Sequence, residues 1–327
     1  MKKERELVSM IIQTERMINM KTQKKKMSKV SFWENIQMFF MVLPGLILLF
    51  IFEYIPMPGI VIAFKDYNPN LGIWRSEWVG LKNFEFFFTS QDALRTIRNT
   101  VVYSVVFLVL GLVAALTLAL MLFFLKSRRA TKFYNTVVII PKFMSMVVIA
   151  FIVYALLSPS YGVVNRMIEY FGGEGINWYM EPAYWPFILT ATHIWQSAGM
   201  SSVLYYASMM GMDESLLEAA KIDGANLRQQ IFHVIIPHLI PTIVVLTILA
   251  IGGLFSGNLD LFYQVPKAQG ALFPTTDIIN TYVYRALMQG ALEKSAAVSL
   301  FQNVVGLVLI VGSNTIVKKI SPENTFF

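Results

Sequence analysis

Apolar residues run in six long blocks along this chain, and the charged residues collect between them. The blocks span approximately Ile36 to Ile55, Val101 to Leu125, Phe133 to Leu157, Tyr184 to Gly211, Val234 to Gly257 and Ser295 to Val317. Each is about twenty residues or longer, which as an α-helix is enough to cross a hydrocarbon layer of roughly 30 Å. Val101 to Leu125 carries no charge and is the clearest of them. Pro44-Gly45 lies within the first block, Pro56 and Pro58 end it, and Pro141-Lys142 interrupts the third. The pattern predicts an all-α, polytopic membrane protein with six transmembrane helices. Residues 1–35 would be a tail and 36–327 the six-helix domain.

Composition agrees with that reading. A chain of 327 residues could form one large soluble domain, but 56% hydrophobic against 14% charged residues argues for a membrane protein. Zero cysteines exclude disulfides, thiolate metal sites and cysteine nucleophiles. The net charge of +7 would suit nucleic acid, except that the basic residues are sorted by loop and not gathered on one face. Seventeen fall in the N-terminal tail, the turn after the second block, the loop between the fourth and fifth, and the C-terminus; nine fall in the intervening, longer segments. The positive-inside rule therefore predicts that both termini are cytoplasmic, and an even number of spans agrees. The tail lacks the apolar core of a cleavable signal peptide, and Met1, Met20 and Met27 each stand as a candidate start.

One charged island interrupts the apolar blocks in a distinctive way. Asp213 is placed to cap a helix over Glu214 to Ile222, and Gly224 sits where a left-handed residue would stop it. Ala219 and Ala220 remove bulk from part of that helix, Leu216 and Leu217 add apolar surface, and Glu218 and Asp223 leave charge beside it. Such a surface suits docking into a cleft on another protein. The stretch Glu218-Ala219-Ala220, Asp223-Gly224-Ala225, Pro237 and Pro241 resembles, in identity and spacing, the cytoplasmic coupling loop of ABC importer permeases, with Ile236 in place of the usual Leu. The coupling loop would occupy 212–237. Gly80-Leu81-Lys82-Asn83-Phe84 and the run Ala63 to Asn68 are also similar to elements of sugar permeases in that superfamily, close to the maltose-permease-like group and to members that move uronate-containing oligosaccharides.

This resemblance implies a permease subunit in the cell membrane, paired with a second, similar permease. Two ATPase subunits would bind below and an extracytoplasmic solute-binding protein would deliver sugar from above. Glu218 would be the charged contact with the ATPase, Ala219 and Ala220 the close-packing surface, and Gly224 the turn. Glu218, Ala219, Ala220, Asp223, Gly224, Ala225 and Pro237 are the expected coupling residues. The chain would carry no catalytic or metal site and no cofactor, with ATP and magnesium held by the partner subunits.

The residues themselves carry no competing chemistry. No phosphate loop is present, so ATP hydrolysis would fall to another subunit. His233 and His238 are five apart and do not share a helix face, which argues against a metal site. Polar groups within the apolar blocks are the default functional candidates, because they cost free energy unless they line a cavity or find partners. Gln196, Asn258, Gln302, Asn303 and Asn314 qualify, with Trp195, Tyr205 and Tyr206 as sugar-stacking surfaces. Lys142, the deepest charge, must snorkel, pair with a carboxylate or face water; in the last case it would help attract an anionic sugar. The family would place a tyrosine there. An ion-coupled secondary transporter is the competing class, and it should show intramembrane carboxylates; an ABC permease for a non-sugar solute is another, and a membrane enzyme a third.

Overall fold

A computed structural model of the chain describes residues 35–255 and 257–320. The expected tail therefore lies outside the described residues, except for Asn35. The chain divides into two units, Met1–Ile60 and Val61–Phe327.

The first helix, α1 (Asn35–Phe64), is long and apolar enough to cross a membrane. Its Pro56 and Pro58 were expected to end it near Ile55, yet the helix narrows to a 3-10 turn over Met57–Phe64 and continues. Proline has no N–H to give the α-ladder but its fixed φ suits a 3-10 turn. Just before Pro56 the ladder widens to a π turn over Phe50–Tyr54, closed by the Ile55 N–H on the Phe50 carbonyl at 3.1 Å. A wider turn leaves room for the pyrrolidine ring against the carbonyl four residues back. The same device recurs at Ile231–Ile235, two residues before Pro237.

The second unit opens on a short antiparallel ribbon, β1 (Lys65–Asp66) and β2 (Glu77–Trp78), with Lys65 opposite Trp78 and helix α2 (Gly72–Arg75) in the connection. Asn83, buried in α3 (Lys82–Thr89), donates to the Ala63 and Lys65 carbonyls at 3.0 and 2.9 Å. The amide of the Gly-Leu-x-Asn-Phe element thus clamps the ribbon. Next come α4 (Gln91–Phe123), α5 (Arg128–Phe143) and α6 (Met146–Leu157), capped by the hydroxyls of Ser90, Ser127 and Ser145. They are followed by α7 (Val163–Tyr170), α8 (Trp185–Met210), α9 (Glu214–Ile222), and α10 (Leu227–Gln230), which runs through the second π turn into α11 (Ile236–Leu254). α12 (Leu259–Gln264), α13 (Phe273–Thr276) and α14 (Ile279–Met288) precede the last long helix, α15 (Leu292–Ile320).

All six expected apolar blocks are helical. α1, α4, Leu227–Gly253 and Leu292–Lys319 qualify as spans by length and apolarity. The third block is not one straight helix: α5 and α6 meet at 98°. Pro141 does not end α5, which runs on to Phe143; the break comes where Ser145 leaves the helix to cap α6. The fourth block, α8, is 26 residues long, about 39 Å at 1.5 Å per residue. It is less apolar because Thr192, His193, Gln196, Ser197, Ser201 and Ser202 lie along it. The membrane reading also explains surfaces that water would penalise: Val109, Val113 and Met121 on α4 are 51, 56 and 64% exposed.

Two cores hold α4 and α8 together. At the N-terminal half of α4, Tyr103 packs with Trp185 and Leu189 of α8, Ile149 and Val153 of α6, and Leu261 and Phe262 of α12. At its C-terminal half, Ala115 and Ala119 are fully buried with Tyr205, Met209, Ile235 and Leu239. Small residues there let helix backbones approach closely. α5 and α8 also approach closely: a Cβ on Gly199 would clash with the Val138 carbonyl oxygen.

Candidate translocation cleft and coupling loop

Between these cores α4, α8 and α11 leave a cleft of two chambers. The first, about 290 Å³, is lined by Thr100, Tyr103, Ser104, Phe107 and Leu108 of α4, with His193, Ala250, Asn258 and Phe262. The second, about 230 Å³, continues along α4 past Gly111 to Ala115 and takes Ser197, Ser201, Leu204 and Tyr205 from α8 and Leu246 and Thr247 from α11. Phe107, Leu108, His193 and Ala250 line both. Helix periodicity makes this wall: Tyr103, Phe107 and Gly111 recur every four residues on α4, as do His193, Ser197 and Ser201 on α8.

His193 stands at the junction. Its ring stacks on Phe107 with centroids 4.0 Å apart and planes 8° from parallel. Its Nδ1 is buried and makes no hydrogen bond among the described residues. A buried ring nitrogen without a partner costs free energy until a water or a solute hydroxyl reaches it.

The expected coupling loop packs beside the C-terminal half of α4, where Met212 and Leu217 join the core around Ala115 and Ala119. Asp213 caps α9 by accepting the Ser215 N–H at 2.9 Å, and that bond holds its carboxyl below the ordinary value. Gly224, at φ 79°, ends the helix. The Gly224 N–H reaches the Lys221 carbonyl at 3.1 Å and the Ala225 N–H the Ala220 carbonyl at 2.9 Å, a Schellman closure. Asn226 and Gln229 then form a reciprocal capping box on α10. Leu217 packs against the core around Tyr205 and Ile235. Glu218, Ala219, Asp223, Gly224 and Pro237 are exposed, Ala220 and Ala225 half-buried, and Ile222 is 86% exposed. α9 is thus tied down at Leu217 and Ala220 and capped at both ends, with its other residues exposed.

The sequence-derived candidates divide. Tyr205 is buried and lines the second chamber. Asn258 lines the first, where it also caps α12 by accepting the Leu261 N–H at 3.1 Å. Trp195, Gln196, Asn303 and Lys142 line neither chamber. Trp195 and Asn303 are exposed on α8 and α15, and Gln196 is half-buried. Lys142 is exposed in the last turn of α5, where its charge meets the negative end of the helix dipole. Gln302 is buried and donates to the Phe255 carbonyl and to Asn280 Oδ1, so it pins α15. Phe107, His193, Ser197 and Ser201 were missed. The four-residue spacing on α8 was the signal that could have found the last three.

The chain has close relatives among known transport proteins. It is 36% identical over 307 residues, 94% of this chain and 95% of the relative, to the polygalacturonan/rhamnogalacturonan transport system permease protein YteP of Bacillus subtilis (strain 168). Its fold matches a chain in the crystal structure of a bacterial ABC transporter involved in the import of the acidic polysaccharide alginate, with a TM-score of 0.80 and 32% identity over 89% of this chain and 99% of that one. A second structure, of a bacterial alginate ABC transporter in complex with an alginate pentasaccharide-bound periplasmic protein, matches with a TM-score of 0.79 and 32% identity over 88% and 98% of the two chains. Residues 107–323, which contain the whole lining of the second chamber and α9, match the family described as the binding-protein-dependent transport system inner membrane component, and the chain belongs to that family.

Proposed function

We propose that this chain is the permease subunit of an ATP-driven importer of acidic oligosaccharides, working beside a second, homologous permease. Two ATPase subunits bind on the α9 side and supply ATP and magnesium chemistry; a solute-binding protein docks on the opposite side. The observation that carries this reading is the continuity of the cleft with α9. Leu217 of α9 packs on the core below the second chamber, and α10 leads through the π turn into α11, whose Leu246, Thr247 and Ala250 line the cleft. A push on α9 reaches the chamber wall through helices that are already in contact. The short polar groups and aromatic rings of the wall suit sugar hydroxyls and ring faces. The names of the relatives support an acidic polysaccharide or its fragments as the cargo.

Reconstituted with its partners, the complex should take up an oligogalacturonate or alginate oligosaccharide only with ATP and the loaded binding protein. Gly224→Val puts a β-branched residue at φ 79°, where open space surrounds the Cβ, so its strain of about 1–2 kcal/mol is backbone strain alone. Ala220→Trp blocks docking of α9 by bulk. Both variants should assemble in the membrane and lose sugar-stimulated ATP hydrolysis. Normal stimulation in both would show that α9 does not transmit the stroke.

The topology can be measured directly, since the chain has no cysteine of its own. Ser127, Ser160 and Ser215 are all exposed. Single cysteines at Ser127 and Ser215 should react in intact cells only with membrane-permeant thiol reagents, and one at Ser160 with an impermeant reagent. Impermeant labelling at Ser215 would reverse the orientation and remove α9 from reach of a cytoplasmic ATPase.

A further inference from the structure

The turn after α12 holds a backbone conformation that side chains rarely adopt. Lys267 and Ala268 have φ of 56° and 49°. The Ala268 N–H bonds the Tyr263 carbonyl at 3.1 Å and the Lys267 N–H the Gln264 carbonyl at 3.2 Å. This is the closure that ends α9, with lysine where α9 has glycine. Glycine would relieve the strain at no steric cost, so a lysine held there points to a use for its side chain.

That side chain is placed against aromatic rings. The Lys267 ammonium lies 3.1 Å from the centroid of Tyr154 and 6.0 Å from that of Tyr179. Lys267 also lines a groove of about 260 Å³ together with Phe151, Tyr263 and Gln264. Among the described residues no carboxylate stands within ion-pair distance of it. Its neighbour Arg285 differs in this respect. Arg285 lines the adjoining cavity of about 190 Å³, which shares Tyr263 and Ala268 with the groove, but its charge is committed to Asp277 at 2.9 Å. Lys267 is an uncommitted cation on an aromatic wall.

We propose that Lys267, held by Tyr154, forms with Phe151, Tyr263 and Gln264 of the groove a subsite for one uronate ring of an acidic oligosaccharide. The inference rests on the importer reading above. The ring face of the sugar packs on the aromatic wall, the Gln264 amide meets its hydroxyls, and its carboxylate takes the ammonium. A carboxylate holds an ammonium more strongly than a ring quadrupole does, so the cation is held in place by the tyrosine and released to the sugar. This places the charge that recognises the cargo on Lys267, and not on Lys142.

The test uses the assembled complex in neutral-lipid vesicles and compares an oligogalacturonate with its carboxyl-reduced, neutral counterpart. Lys267→Met should raise the half-saturating concentration of the acidic sugar about tenfold and leave the neutral one unchanged. Lys267→Arg should restore uptake of the acidic sugar. Lys267→Gly, which removes the amine while relaxing the turn, should behave as Lys267→Met does, and so separates charge from folding. Equal losses for both sugars, or no loss for either, overturn the subsite. An effect that appears only when anionic lipid is added would identify a headgroup site instead. A wild-type complex that imports neither sugar overturns the importer reading and the subsite together; wild-type import with unchanged Lys267→Met overturns the subsite alone.

Discussion

Asp277→Asn should destabilise the assembled protein by about 3 kcal/mol, read as a large fall in the thermal unfolding midpoint of the purified complex. The Asp277 side chain is fully buried and holds two guanidiniums, Arg95 at 2.7 Å and Arg285 at 2.9 Å, while the Thr281 hydroxyl donates to it at 2.8 Å. Its backbone carbonyl accepts the Asn99 amide at 2.9 Å. This one carboxylate therefore joins the start of α4 to α14. Removing its charge leaves two guanidiniums close together with only Asp92 to balance them, and because Asp92 reaches only Arg95, Arg285 is left without a counter-ion. Both arginines retain 27% side-chain exposure, so water recovers part of the loss, which places the cost at the lower end of the range for broken buried pairs. Adding Arg285→Met to Asp277→Asn should recover stability, because it removes the stranded charge. A double variant less stable than the single one would show that packing, not charge, is what Asp277 supplies.

Gly199→Ala should be as damaging by a different route. The added methyl would clash with the Val138 carbonyl oxygen and sit 2.5 Å from its carbon, both backbone atoms that no rotamer change can move. α5 must shift away by more than an ångström, losing the packing along its length against α8, at a cost of about 1–3 kcal/mol or more. Gly306→Ala on α15 is the matched control. Nothing lies within 4 Å of a Cβ there, and alanine is the better helix former, so that variant should be neutral or slightly stabilised. The expected result is loss of the assembled complex, or a several-degree fall in its unfolding midpoint, for Gly199→Ala alone. Equal behaviour of the two variants would mean that α5 and α8 do not need this contact.

Both residues lay in plain view in the sequence and neither could be read from it. Gly199 is one of 19 glycines, in a helix where glycine usually marks nothing more than a weak position. Asp277 sits among short polar loop residues, and its two arginines are distant in the chain or in an apparently solvated segment. Their importance comes from contacts between segments that no local pattern encodes.

Local chemistry, by contrast, was legible from the chain alone. Long apolar runs force helices because the bilayer offers no partner for a free backbone group, so six blocks meant six helical segments. Asp213 and Gly224 marked both ends of α9 because capping and a left-handed stop depend on those residues and their immediate neighbours. Two outcomes were not fixed by residue type: the course of the chain at its prolines, and which polar groups meet a cavity. Pro56 and Pro141 are permissive as well as disruptive, and the continuation of α1 and the break after Phe143 depended on turn geometry around them. The polar candidates Trp195, Gln196, Asn303 and Lys142 were chosen for their cost in an apolar block, which says that a group needs a partner or a cavity but not where the cavity is. The rotation of α8 against α4 and α11 decided that, turning His193, Ser197 and Ser201 into the cleft and Trp195 away from it. Sequence by itself determined the helices, their ends and the family motif, because those follow from residue types close together in the chain; the cleft, the buried ion pairs and the place of Lys267 awaited the packing of helices far apart in it.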